Sequence, residues 1–303
     1  MSTVFPSAAP DAALDPDAKS SILGRLHRLA TQFSPRFWFA LALTLAVLFF
    51  GFVGPYLTGV EDPDQIVGGL YMDPSADAWL GTDNFGQDVF TQLIYGTRTS
   101  LIIGIIAGLV ATFIGVVIGI SAGFYGGIVE EALMGVTNVV ITIPSIVVLI
   151  LLSIAIDSRS IFAIAIIIGI TSWPWTARAV RAQASSVRTR EHVDLARLTG
   201  ANTFSLMVFE VLPYMLSYIV MAFVLQLTSS ILQEAALSML GLGPSDSISL
   251  GVMLFWALLW ESIRTGAWWA FVPPAIFLTL IAFALLLLQS SLDEVFNPRL
   301  RES

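Results

Sequence analysis

Residues 99–123 read TSLIIGIIAGLVATFIGVVIGISAG and carry no charged group. A helix crosses the hydrocarbon of a bilayer in roughly 20 apolar residues, so this run reads as a transmembrane span. Small residues recur at every fourth position along and just beyond it: Ala107, Ala111, Gly115, Gly119, Gly123 and Gly127, with Gly104 and Gly108 as a second pair. Lipid gives helices no hydrophobic reason to associate. Small side chains let backbones approach closely enough for dispersion and weak hydrogen bonds to act instead. The row therefore predicts tight helix packing rather than a ligand site.

Five further uncharged runs lie outward from this one: residues 37–57, a stretch within 132–156, 160 to about 177, 211 to about 231, and about 269 to 290. The fold class is all-α, a polytopic membrane protein with six transmembrane helices. Residues 235–260 are also apolar, but Gly241, Gly243, Pro244 and Asp246 break them. They read as a short re-entrant or interfacial helix plus loop. Pro144 and Pro174 each remove a helix donor in mid-membrane and should kink their spans. Pro273 and Pro274 stand near a span's start, where a missing N–H costs little.

Composition agrees. The chain is 56% hydrophobic and 12% charged, against about 25% charged in a soluble domain. There is no cysteine, which excludes disulfides and thiolate metal sites. The two histidines, His27 and His192, lack a metal-ligand spacing and read as ordinary solvated residues. A net charge of −8 is not the signature of a nucleic-acid partner. Residues 1–19 are rich in Ala, Pro, Asp and Ser and read as a disordered tail. They do not form a signal peptide, because the first apolar run starts near Phe37 and continues too long.

The distribution of charge gives an orientation. Lys19, Arg25, Arg28 and Arg36 precede the first span. Arg178, Arg181, Arg188, Arg190 and Arg197 lie between the fourth and fifth, and Arg299 and Arg301 follow the sixth. Residues 58–92 carry Glu61, Asp62, Asp64, Asp73, Asp77, Asp83 and Asp88 with no basic residue. The positive-inside rule puts both termini and the arginine-rich loop in the cytoplasm of a cell-membrane protein. The expected divisions are a cytoplasmic tail (1–36), a first span (37–57), an extracytoplasmic loop (58–98) and a core domain (99–303).

Within that core, residues 185–213 read SSVRTREHVDLARLTGANTFSLMVFEVLP. The segment is too charged to enter lipid and far longer than an ordinary connection. Thr189 or Ser186 can cap a helix running to Thr199, and Gly200 suits the left-handed residue that ends it. Asn202 or Thr203 can cap a second short helix that meets Pro213. The product is a helix-turn-helix bracket on the cytoplasmic face. Val187, Val193, Leu195, Ala196 and Leu198 supply apolar surface among the arginines. Such a surface suits either docking to another protein or resting on lipid headgroups. The residues alone leave both open.

The bracket resembles the Glu-Ala-Ala…Gly…Leu-Pro motif of ABC importer permeases, with Asp194-Leu195-Ala196, Gly200 and Leu212-Pro213 at the matching positions. Other segments resemble the dipeptide/oligopeptide/nickel branch, in the subunit with an additional N-terminal span. They are Leu80-Gly81-Thr82-Asp83 with Gly86 and Asp88, Leu93-Ile94-Tyr95-Gly96, Gly123-Phe124-Tyr125-Gly126-Gly127 and Ser172-Trp173-Pro174. Further on come Glu234-Ala235-Ala236-Leu237-Ser238, Gly251-Val252-Met253-Leu254 and Asn297-Pro298-Arg299-Leu300. The likeness runs in order from about residue 37 to 301. Asp for Glu at 194, Leu for Ala at 195, Glu210, Gln87 and Gln289-Ser290 depart from the pattern.

The resemblance implies a type I ABC importer permease fold and a set of partners. These are a second homologous permease in a heterodimer, two ATPase subunits that bind ATP and Mg, an extracytoplasmic solute-binding protein and membrane lipid. It implies coupling to the ATPases through Arg188, Arg190, Glu191, Asp194, Leu195, Ala196, Gly200, Leu212 and Pro213. Gly81, Asp83, Gly86, Asp88 and Glu234 fall on the implied extracytoplasmic scoop, the face offered to the binding protein. The branch carries peptides, nickel chelates, opines and oligosaccharides. Independently, a phosphate-cradling loop needs a lysine after glycine, and the sole lysine, Lys19, follows Ala18. ATP hydrolysis and its cofactors belong elsewhere.

Two other features weigh on function. Glu234 ends the fifth span, where a carboxylate is expensive, and it reads as a structural anchor for the re-entrant segment. Gln226, Ser229, Ser230 and Gln233 are the candidate translocation-path residues, although such groups more often bond between helices. Trp256, Trp260, Trp268 and Trp269 read as an interfacial aromatic belt. A channel or ion-coupled transporter would carry intramembrane ionisable chains, and the spans here hold almost none.

Overall fold

The computed structural model describes residues 34–60, 62–156 and 158–296. The expected tail with Lys19, Arg25, His27 and Arg28 lies outside the described residues. So do Glu61 and the 297–300 motif with Arg299 and Arg301. Among the described residues the chain is helical, with eleven principal helices.

Helix α1, Pro35–Phe52, starts where Ser34 accepts the Phe37 amide and Pro35 takes the first helical position. A short α2, Gly54–Thr58, leads into the acidic loop. Helix α3, Val89–Tyr125, begins at Asp88, whose carboxylate accepts the amides of Phe90 and Thr91. Its 37 residues extend about 55 Å at 1.5 Å each, so it outruns the bilayer at its ends. Next come α4, Gly127–Thr142, and α5, Ser145–Ala155. Helix α6, Ile161–Val187, carries on into the bracket, whose arms are α7, Glu191–Leu198, and α8, Thr203–Tyr214. Helix α9, Leu216–Leu237, is followed by α10, Leu250–Leu259, and α11, Val272–Phe296.

Among the described residues five helices are long and apolar enough to span, and α4 with α5 makes a sixth if that bent pair is one span. Here the structure departs from the expected simple kink. The two halves meet at 83°, because Ile143 and Pro144 leave helical geometry altogether (ψ 125° and 119°). A residue before proline is pushed out of the α region, and proline has no amide to give. Pro174 behaves differently: α6 continues through it as one helix.

The small-residue row does what its spacing predicts. On α3, Gly115 lies against Thr176, Gly119 against Ala177 and Val180, and Gly123 against Ala184 and Ser185 of α6. A Cβ at Gly119 would sit 2.7 Å from the Ala177 carbonyl oxygen. The second pair serves another helix, with Gly104 on Ile231 and Gly108 on Leu227 of α9. Gly127 is not part of the row; it opens α4 after a break at Gly126. Outside this centre α1 lies along α11, tied by the Arg36–Glu294 ion pair at 2.8 Å and a long Thr44 hydroxyl bond to Ala284 O.

Residues 235–260 form the expected interrupted segment. Helix α9 widens into a turn over Ser238–Leu242, the chain reverses, and α10 returns against α3, α9 and α11. The acidic loop and this hairpin share one end of the molecule, and the bracket occupies the other. We call these the loop end and the bracket end.

Candidate functional site

At the bracket end, α6 stops where Arg188 caps it. The Arg188 guanidinium turns back to donate to Phe124 O at 2.9 Å, satisfying a carbonyl at the end of α3. The next start differs from the expectation. Ser186 still belongs to α6, and Thr189 donates to Ser186 O. Arg190, with extended backbone and no side-chain bond, holds the N-cap of α7. The end of α7 is as predicted: Gly200 has φ +90°, Ala201 N–H donates to Ala196 O and Gly200 N–H to Arg197 O. Those two bonds close a Schellman motif that a Cβ at the left-handed residue would strain. Asn202 then caps α8, its Oδ1 accepting the Ser205 amide at 2.8 Å.

Helix α8 contains a widened π turn over Leu206–Val211, followed by Leu212 and Pro213. Met215 donates to Val211 O and Leu212 O, and Ile219 to Met215 O. The second arm therefore runs into α9 without leaving helical conformation.

The bracket has two faces. Val187, Val193, Leu206, Val211 and Met215 are buried in a cluster with Ile120, Phe124, Val180 and Ala184, and Ala196 and Leu212 pack on its edge. Leu195, Leu198, Phe204 and Phe209 point outward, with Leu198 84% exposed. The apolar residues read together from sequence thus divide between an anchoring face and a free one. On the free face Glu191 is exposed, and Asp194 pairs with Arg197 at 2.9 Å one turn along. His192 is not simply solvated: it is half-buried and stacks on Tyr214 at 4.8 Å, while the Arg190 guanidinium lies 4.5 Å from the same ring. Tyr214 gave no signal in the sequence.

At the loop end the expected scoop residues Gly81, Asp83, Gly86 and Glu234 are buried, and Asp88, the N-cap of α3, is half-buried. Asp83 accepts the amides of Phe85 and Gln87 through Oδ1 and the Gln92 side chain through Oδ2. Gly81 and Gly86 turn the loop with φ +69° and +79°, each where a Cβ would meet a carbonyl oxygen. Trp269 belongs to no belt. It is buried and donates from Nε1 to Thr82 O at 3.0 Å. An open cleft of about 660 Å³ is lined by Asp64, Phe85 and Gln87 of the loop and by Asp246 and Trp256 of the hairpin, and the Phe85 and Trp256 rings meet edge to face at 5.1 Å.

Glu234 has zero exposure. Its Oε2 accepts from Ser100 at 3.0 Å, and its Oε1 accepts from Ser238 and Ser249, both at 2.6 Å. Ser100 in turn accepts the Leu250 amide, and Ser249 the Val252 amide. Three serines, of which only Ser238 belongs to a recognisable motif, thus satisfy a carboxylate whose isolation at membrane depth would be costly.

The four path candidates separate. Gln226 is buried and donates to Ser172 O at 2.8 Å, and Gln233 accepts from the Ser172 hydroxyl. Ser230 is buried with its hydroxyl unpartnered. Ser229 is exposed and shares a groove with Trp175, Gln183, Tyr218 and Gln289, and Gln226 reaches the wall of the same groove.

A bracket bolted inward and bare outward, beside a long central helix pair, invites comparison with known proteins. Residues 115–302 match the family described as binding-protein-dependent transport system inner membrane component. The chain belongs to that family. It is 33% identical over 262 residues to a dipeptide transport system permease protein of Bacillus subtilis, covering 85% of this chain and 81% of that one. It is 32% identical over 298 residues to a putative peptide transport system permease protein of Brucella suis, covering 97% and 98%. An oligopeptide transport system permease protein of Bacillus subtilis is 33% identical over 230 residues, covering 76% and 74%. The chain is accordingly a multi-pass inner-membrane permease subunit of an ABC importer, with no ATPase site of its own. The permease's bracket falls within the matched region, and α1 and the acidic loop precede it.

Proposed function

We propose that this permease imports peptide-like solutes and takes its drive at the bracket, whose free face docks in a groove of a separate ATPase subunit. The observation that carries the reading is the division of the bracket into a buried face and an exposed apolar one bearing Leu195, Leu198 and Phe204. An exposed apolar patch rimmed by Arg190, Glu191, Asp194 and Arg197 fits a protein interface better than headgroups alone. The permeases it resembles are named for dipeptide and oligopeptide transport, which favours peptides over the oligosaccharides, opines and nickel chelates of the same branch.

In this reading two ATPases holding ATP and Mg serve this chain and a second, homologous permease. The bracket and both termini are cytoplasmic, and a binding protein delivers solute at the loop end. Energy enters as the closed ATPase pair's preference for one permease state over the other. Ser229 lines the path between the two permeases. The test is ATP hydrolysis by the co-purified importer in lipid nanodiscs, with and without a mixture of di- to pentapeptides on its binding protein. Asp194→Trp with Gly200→Trp should lower the stimulated rate on the order of tenfold, the size of ordinary coupling energies, with membrane insertion unchanged. Undiminished hydrolysis would overturn the docking role. Mass spectrometry of the ligand carried by the binding protein decides the solute class.

A further inference from the structure

Helix α9 has different attachments at its two ends. At the bracket end it continues directly from α8 through Pro213, Tyr214 and Met215. From there it runs 22 residues, about 33 Å at 1.5 Å per residue, to Glu234 and the loop end. There the carboxylate reaches three elements: α3 through Ser100, its own widened turn through Ser238, and the first turn of α10 through Ser249.

The attachment to α10 is made twice over. Leu250 N–H donates to Ser100 Oγ, which donates to Oε2; Val252 N–H donates to Ser249 Oγ, which donates to Oε1. Two amides that α10 cannot satisfy internally are therefore satisfied, at one remove, by a single side chain of α9. Packing reinforces the link, since Gly251 of α10 lies so close to Ala235 and Ser238 that a Cβ would sit 2.7 Å from each. Ser238 also lines the cleft, together with Asp246 and Trp256 of the hairpin.

We infer that Glu234 is a positioning residue that makes the α10 hairpin follow α9, so that displacement of the bracket is delivered to one wall of the cleft at the opposite end. A carboxylate has two oxygens and accepts from all three hydroxyls at once. A side chain with one acceptor and an N–H₂ group leaves at least one hydroxyl facing a donor. Breaking the relay leaves α9 and the bracket in place while the hairpin loses its tie. The inference rests on the bracket being the driven end.

Hydrogen–deuterium exchange of the co-purified importer in nanodiscs, nucleotide-free against ATP–Mg with orthovanadate, reads both ends in one experiment. In the unaltered chain, nucleotide should change exchange in residues 191–214 and in residues 238–259. In Glu234→Gln the bracket response should persist and the hairpin response should be lost. A hairpin that is merely loosened would exchange faster in both states yet keep its nucleotide response, and that result overturns the inference. So does an unaltered chain whose bracket responds while its hairpin does not. A silent bracket in the unaltered chain instead sinks the docking reading on which this one stands. If Glu234→Gln fails to assemble, Ser249→Ala, which keeps the carboxylate and removes one relay, decides: a reduced hairpin response supports the link and an undiminished one overturns it.

Discussion

The two ends of the permease are held together by opposite means. On the free face of the bracket the polar contacts are exposed: Asp194 and Arg197 pair with more than half of each side chain in solvent, and Arg190 leans on a half-open Tyr214. At the loop end a carboxylate with no exposure is enclosed by three hydroxyls and two relayed amides. An exposed ion pair is worth about 0–1 kcal/mol, and water or a partner protein can replace it. A buried acceptor that leaves its donors stranded costs about 1–3 kcal/mol for each of them. Contacts of the first kind can be exchanged for others at little cost, whereas the carboxylate cluster resists being taken apart.

Mutation should expose that contrast. The largest effect is expected from Glu234→Leu, which strands the hydroxyls of Ser100, Ser238 and Ser249. Stability should fall on the order of 3 kcal/mol or more, read as a lower thermal midpoint in detergent. Asp194→Leu should stay within about 0.5 kcal/mol of the parent. Similar losses in the two variants would erase the distinction between the ends. A middle-sized effect belongs to Tyr214→Ala, which removes the ring under both Arg190 and His192, worth about 1 kcal/mol. It should quicken hydrogen exchange across α7 alone, and Tyr214→Phe should restore the slow rate.

The smallest effect is a pH dependence at the cleft's edge. Partial burial, then the charges of Asp62 and Asp83, push the Asp64 carboxyl above its ordinary range. The folded loop therefore holds that proton more tightly than the unfolded chain does. Asp64 should make the loop more stable as pH falls from the raised value to the ordinary one, and oppose folding above it. Proteolytic nicking of residues 62–88 should slow over that window, and Asp64→Asn should flatten the profile.

Much of this architecture could be read in the residues, and the parts that could not have a common cause. Spans follow from local hydropathy, and the bracket from a charged interruption with Gly200 and Asn202 at its turn. The glycine row announced close packing because its period is intrinsic to one helix. What escaped is long-range or geometric. Glu234 was legible as an expensive group, but Ser100 is 134 residues away and looks like any other serine. The path candidates share polarity, whereas helical period sets Ser229 with the exposed Leu225 and Leu232, and Gln226 and Ser230 with the buried side. Pro144 and Pro174 are the same residue in comparable spans. Only the backbone around the first abandons helical angles, giving the 83° bend.

The glycine row has a mechanical consequence. With Gly115, Gly119 and Gly123 in near backbone contact with α6, separating the two helices there would forfeit the dispersion contacts between residues 115–123 and 176–185. They act as a single thick keel, stiffer than either rod alone. In any change of shape that seam is expected to travel as one body.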